Sequence, residues 1–317
     1  MANKLAVVAV GGNSLITDDK HVTVENQVEA LRETAHHIVD MIEAGWDLAI
    51  GHGNGPQVGF ILRRSEIAAK VEGMHEVPLD VCGADSQGAI GYEFQQALQN
   101  EYHRRGIQKG AATVITQVLV DKSDPAFQKP SKPIGSFMTE AEARKRESEM
   151  HWSVVEDAGR GWRRVVPSPL PKKILELDSV KLLLTAGVTV ITVGGGGIPV
   201  VDKGNGEFEG TAAVIDKDFA SSLLAQEIGA ELFLIATAVE KVAINFGKPD
   251  QKWLDQLTLA EAKEYLAQGT HFAKGSMAPK IQAILWFLES GGKQALITNP
   301  ENIGRALKGE TGTWLVP

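Results

Sequence analysis

Three lysines stand in settings that a solvated helix surface does not explain. Lys132 sits in Pro130-Ser131-Lys132-Pro133-Ile134-Gly135, Lys217 in Val214-Ile215-Asp216-Lys217-Asp218, and Lys280 in Gly275-Ser276-Met277-Ala278-Pro279-Lys280. Lysine binds phosphate as a point charge. A phosphoryl group in transfer needs positioning and cations around it, because its charge spreads over its oxygens. The carboxylates of Asp216 and Asp218, on either side of Lys217, can orient lysines or help hold Mg²⁺ through water, an ion that takes few direct protein ligands. A single lysine is more often plain surface, so the reading rests on the three occurring together with the glycine loops of the same chain.

Those loops are Gly11-Gly12-Asn13, Gly51 to Gly55, and Gly194 to Gly197, each at the end of an apolar, β-branched run. Open α/β sheets bind ligands at the carboxyl ends of their strands, where glycine lets backbone N–H groups approach phosphate oxygens. Helices starting after such loops add N-terminal dipoles aimed at anions. One such loop would signify little, since glycine also makes tight turns; three after three strands carry weight. The chain has neither G-x-x-x-x-G-K-[ST] nor a complete G-x-G-x-x-G, so it is no P-loop NTPase by that criterion and a weak dinucleotide binder. An acceptor that is already an oxyanion needs no general base, and no histidine offers itself as one. His36 and His37 are adjacent on a predicted helix and point apart. His52 lies inside the second loop, where it either donates to a phosphate or bonds the loop backbone. Serine hydrolase and zinc hydrolase motifs are missing.

The elements that must position these groups follow an alternating pattern. Leu5 to Val10 reads as a buried strand, and Val28, Leu31, Ala35, Ile38 and Ile42 recur at helical spacing before Gly45. Asp47 to Ile50, Ala111 to Val120, Val188 to Val193, Leu232 to Ala236 and Gln294 to Thr298 read as further strands, and Pro56 suits the first position of a helix. The pattern predicts an open, mostly parallel α/β sandwich over residues 1–317. Residues 121–171 break it with six prolines and a charged helix near Thr139 to Glu149, an excursion that forms either a lid-like subdomain or a surface insertion.

Composition bounds the rest. With 317 residues, 43% of them hydrophobic and 23% charged, the chain can bury a large core. A net charge of -8 argues against nucleic acid as partner. Cys82, the single cysteine, allows no intrachain disulfide and reads as a small buried hydrophobe. No apolar run reaches the ~20 residues of a membrane span, and Met1 to Val10 lacks a cleavage region, so the expectation is a cytoplasmic protein.

Taken together, Gly11-Gly12-Asn13-Ser14-Leu15, His52-Gly53-Asn54-Gly55-Pro56-Gln57-Val58-Gly59, Ser86-Gln87-Gly88-Ala89-Ile90-Gly91-Tyr92, Lys132-Pro133-Ile134-Gly135, Arg163 to Pro169, Gly194 to Pro199, Ala213 to Asp218 and Gly275 to Lys280 resemble carbamate kinase of the amino-acid-kinase superfamily, over essentially the whole chain. The resemblance implies an open αβα sandwich with a mainly parallel sheet (the amino-acid-kinase fold), a small protruding subdomain around Lys132, and a homodimer. It implies ATP or ADP with Mg²⁺, and reversible phosphoryl transfer between carbamoyl phosphate and ADP. Lys132, Lys217 and Lys280 would surround the transferring group, with Asp218 organising the last two. Gly11, Gly12, Asn13, Gly53, Asn54, Gly195 and Gly196 would cradle phosphate and carbamate. Asp216, Thr237, Val239, Val242, Gly275, Ser276 and Met277 would serve the nucleotide. No residue is assigned as a direct metal ligand. Two positions depart from the family pattern: many relatives carry tyrosine where this chain has Ala243, and often methionine at Asp85. A kinase of the same fold acting on another small acid, and a weakly active regulatory paralogue, are the competing readings.

Overall fold

The computed structural model describes residues 4–12, 15, 23–156, 161–273 and 275–317. Its central sheet has eight strands in the order Gln256–Thr258, Thr313–Val316, Gln294–Thr298, Leu232–Ala236, Lys4–Val10, Trp46–His52, Thr189–Ile191 and Ala111–Thr113. All neighbouring pairs run parallel except Gln294–Thr298 with Thr313–Val316.

The period-2 geometry of a strand explains why the central ones read as unbroken apolar runs. In Lys4–Val10, Ala6, Val8 and Val10 enter one core with Leu31 and Ile38 of helix Val24–Glu43 and Ile90 and Phe94 of helix Leu79–Arg105. Val7 and Ala9 enter the other, with Leu224 of helix Lys217–Glu227 and Ile284 and Leu288 of helix Met277–Glu289. Both faces are thus covered by helices, the expected αβα sandwich. Cys82 is a buried core residue whose thiol pKa burial pushes up to about 11.

One expected strand divides. The run Ala111 to Val120 forms Ala111–Thr113 at the edge of the main sheet and Gln117–Val120 in a second sheet with Phe208–Gly210, Ile198–Asp202 and Pro171–Ile174. The break is at Thr116, whose N–H donates to Gln87 Oε1 at 2.8 Å while its carbonyl accepts from Gln87 Nε2 at 3.1 Å. A side-chain amide from helix Leu79–Arg105 thereby takes its N–H and shares its carbonyl with Ile198 N–H of the second sheet, which donates at 2.8 Å.

Within 121–171, Lys132–Met138, Trp162–Val166 and Ser153–Glu156 form a three-stranded antiparallel sheet in that order. Helix Glu140–Met150 lies beside it, started by a Thr139–Glu142 capping box. Strand Lys132–Met138 leans on helix Gly55–Glu72 through glycine: a Cβ on Gly59 would stand 2.1 Å from Gly135 Cα, so the two backbones touch. Ile134 and Val166 join Val58, Leu62 and Cys82 in an apolar cluster below that contact.

Candidate active site

The three glycine loops converge where the central strands end. Gly11 N–H donates to Ala236 O at 2.9 Å and Gly53 N–H to Val10 O at 3.0 Å, which pins the first two loops to the sheet. A Cβ on Gly53 would stand 3.3 Å from Gly12 N and 3.5 Å from Lys217 Cδ, so the second loop lies against both the first loop and the lysine's stem. The third loop closes from the other side. Gly195, at φ +64°, would place a Cβ 2.1 Å from Asn54 Nδ2, and Gly196, at φ +92°, would place one 2.3 Å from Ile215 O. Glycine is required here both by conformation and by space. The residue before this loop, Val193, has φ 45°, an uncommon conformation for a β-branched residue and a form of stored strain found at ligand sites. Asn13 lies outside the described residues.

The three lysines, drawn from three distant segments, gather on two carboxylates. Lys217 Nζ donates to Asp218 Oδ1 at 2.5 Å, Lys280 Nζ to Asp218 Oδ2 at 2.8 Å, and Lys132 Nζ to Asp216 Oδ2 at 2.6 Å. Asp216 is also the N-cap of helix Lys217–Glu227, accepting from Asp218 N–H at 2.9 Å. One capping aspartate thus orders the Asp216-Lys217-Asp218 turn and holds the subdomain's lysine.

Burial sets the protonation states. Burial drives the Lys217 ammonium down to about 8, with Lys280 adding to the fall and Asp218 opposing it. Burial also works against ionising Asp218, but Lys217 and Lys280 together hold it far below the usual carboxylate range. Asp216 is likewise burdened by burial and kept ionised by Lys132. For Lys280, burial is outweighed by Asp218, so it holds its proton more firmly than an ordinary lysine. His52 is buried, its Nδ1–H donates to Gly53 O at 3.0 Å, and burial lowers its pKa to about 4. It is a neutral loop brace.

Residues expected on the nucleotide side occupy two neighbouring stretches. Thr237 follows strand Leu232–Ala236 and its N–H donates to Thr298 O at 2.9 Å. Val239 is half-buried, and Val242, on strand Val242–Ile244, donates its N–H to Thr313 Oγ1 at 2.8 Å. Gly275 and Ser276 are exposed just before helix Met277–Glu289, whose fourth residue is Lys280. Among the described residues, neither these five nor Met277 bonds to the lysine–aspartate cluster. Ala243 is buried opposite Trp253, so a tyrosine ring there must displace packed neighbours. Asp85 is exposed on helix Leu79–Arg105, while the next two residues turn inward.

Those two, Ser86 and Gln87, are parts of the site to which sequence reasoning gave no role. Ser86 Oγ accepts from Asn54 Nδ2 at 2.8 Å and Gln87 Nε2 donates to Gly194 O at 3.0 Å, so a single helical turn braces the second and third loops. The available signal was a polar pair on the second helix after the second glycine loop.

The arrangement is a preorganised pocket of ammonium groups framed by glycine loops, suited to a phosphoryl group in transfer between anions. Residues 4–299 match the amino acid kinase family model. The chain is 50% identical to the carbamate kinase-like protein YahI of Escherichia coli and 49% identical to the carbamate kinase of Thermococcus kodakarensis, in each case over 99% of both chains. Among solved structures, carbamate kinase from Giardia lamblia bound to AMP-PNP superimposes with a TM-score of 0.90 at 40% identity, covering 99% of each chain.

Proposed function

The chain belongs to the amino acid kinase family, and from that premise we propose that it is a carbamate kinase, an enzyme that transfers a phosphoryl group reversibly between carbamoyl phosphate and ADP. The observation that carries this reading is the meeting of Lys132, Lys217 and Lys280 on Asp216 and Asp218 at the mouth of three glycine loops.

In the ATP-forming direction a terminal oxygen of ADP attacks the phosphorus, the bond from phosphorus to the carbamoyl oxygen breaks, and its electron pair leaves with carbamate. No proton has to move, which fits a centre of cations with a neutral His52. Lys217 and Lys280, fixed side by side by Asp218, take oxygens of the transferring group. Lys132 exchanges Asp216 for a substrate oxygen as the subdomain settles over the site. Gly11, Gly12, Asn13, Gly53, Asn54, Gly195 and Gly196 hold carbamoyl phosphate. Thr237, Val239, Val242, Gly275, Ser276 and Met277 hold the nucleotide, with Asp216 between the two.

Mg²⁺ neutralises phosphate charge when present. Among the described residues no three His, Cys, Asp or Glu side chains converge to hold a metal, and Asp216 and Asp218 already serve lysines. Their chemistry suits an ion carried on nucleotide phosphates and touched through water. A homodimer in the cytoplasm completes the reading; sedimentation at micromolar concentration tests the dimer. Substrate identity is tested by comparing ATP formation from MgADP with carbamoyl phosphate and with acetyl phosphate. A site that bonds the carbamoyl NH₂ favours the first by about tenfold or more, whereas equal rates, or preference for acetyl phosphate, would support a kinase of another small acid.

A further inference from the structure

Away from the lysine cluster, a cavity of about 50 Å³ lies between helix Gly55–Glu72 and the small subdomain. Its charged lining is Arg63, Arg146, Arg164 and Glu66, three guanidiniums against one carboxylate, in a chain whose net charge is -8. Glu66 is fully engaged: Oε1 accepts from Arg164 Nη1 at 2.7 Å and Oε2 from Arg63 Nη1 at 3.3 Å. Arg146 has no carboxylate at ion-pair distance among the described residues. Its guanidinium lies over Trp152 at 5.1 Å, and Arg164 lies over the same ring at 4.5 Å. Glu142, one turn before Arg146, accepts from Thr139 Oγ1 at 3.0 Å in the capping box. Arg146 also feels the Glu142 charge without pairing to it, so two stacked arginines are held beside a third with Glu66 as the one carboxylate of the cavity lining.

We propose that this crevice binds a tetrahedral dianion, inorganic phosphate or sulfate, at a site separate from the lysine–aspartate cluster. Guanidinium forks match the oxygens of such an anion, and stacking on Trp152 fixes two of them before it arrives. At roughly 10–15 Å³ for each water-sized occupant, the cavity takes about three to five, a range that includes a four-oxygen anion. Gly135 and Ser136, which also line it, follow Lys132 on the same strand, and Gly59 belongs to the helix that begins at Gly55. An anion here ties the strand carrying Lys132 to the helix that opens from the second glycine loop.

Sulfate is the probe, titrated calorimetrically into the full chain carrying Lys217→Ala to weaken anion binding at the lysine cluster. The expected result is one sulfate per chain, bound about tenfold more weakly when Arg146→Gln is added, since one charge-assisted contact is lost. Arg146→Gln leaves no carboxylate without its partner. Arg63→Gln, which leaves Glu66 its bond to Arg164, serves as a second variant with the same expected loss should Arg146→Gln fail to fold. Sulfate should also slow hydrogen exchange at residues 134–138 in Lys217→Ala. The proposal is overturned if Lys217→Ala binds no sulfate, or if its sulfate affinity ignores the arginine substitutions in every folded variant.

Discussion

Replacing Asp218 by asparagine keeps the side chain's shape and removes the charge on which two lysines depend. Asp218 is 3% exposed and accepts from Lys217 at 2.5 Å and Lys280 at 2.8 Å. Two ammonium groups sharing one carboxylate stand on the order of 4 Å apart, where an effective dielectric near 20 gives a repulsion of about 4 kcal/mol. In the wild type the carboxylate offsets most of that repulsion; in Asp218→Asn only the carboxylate of Asp216, bonded to Lys132, remains to oppose it. Since about 1.4 kcal/mol corresponds to one pKa unit, losing the Asp218 attraction that opposes the fall should carry Lys217 from about 8 to below neutrality. The pocket then lacks one cation at pH 7, and kcat should fall by roughly 10²–10³. Breaking a buried pair from one side costs on the order of 3–5 kcal/mol, moderated as Lys217 becomes neutral, so urea unfolding should show a lower midpoint. The pH profile is the sharper readout. Lys217 is charged below its pKa, so wild-type kcat/KM should hold at neutral pH and decline above about 8, whereas in Asp218→Asn the decline should move to lower pH. A well-folded Asp218→Asn enzyme with near wild-type kcat and an unmoved pH profile would refute the reasoning.

Lys280→Ala removes one cation while leaving the Lys217–Asp218 pair, and should lower kcat by roughly 10²–10³ without loss of folding; unchanged turnover in a coupled assay would demote Lys280 to a bystander. Gly195→Ala places a methyl 2.1 Å from Asn54 Nδ2 at φ +64°, and should lower stability by about 1–3 kcal/mol and raise KM for carbamoyl phosphate; a wild-type melting curve and KM would show that the third loop has room to spare. Reading the small subdomain as a lid over phosphorylated substrate predicts that hydrogen exchange across 121–171 slows when ligand is added, whereas equal exchange in both states would leave it a fixed insertion.

The alternating strands and helices were legible because both faces of a mostly parallel sheet are buried, which leaves runs such as Leu232–Ala236 and Gln294–Thr298 uniformly apolar with clear ends. The run Ala111 to Val120 misled because what divides it is a tertiary contact, the Gln87 amide on Thr116, and local periodicity carries no trace of that. The lysines could be singled out from their proline, glycine and aspartate neighbours. Their sharing of two carboxylates could not be read that way, since Lys132 and Asp216 are 84 residues apart in sequence. The brace of Ser86 and Gln87 behind the loops escaped for the same reason: serine and glutamine on a helix look like solvated surface until the fold buries them.

The most direct test of the central claim is a ³¹P NMR time course of the purified chain with carbamoyl phosphate and MgADP. The account predicts that the γ-phosphate resonance of ATP grows mole for mole as carbamoyl phosphate disappears, at a rate proportional to enzyme. Inorganic phosphate appearing at the rate seen without enzyme, with no ATP, would contradict it.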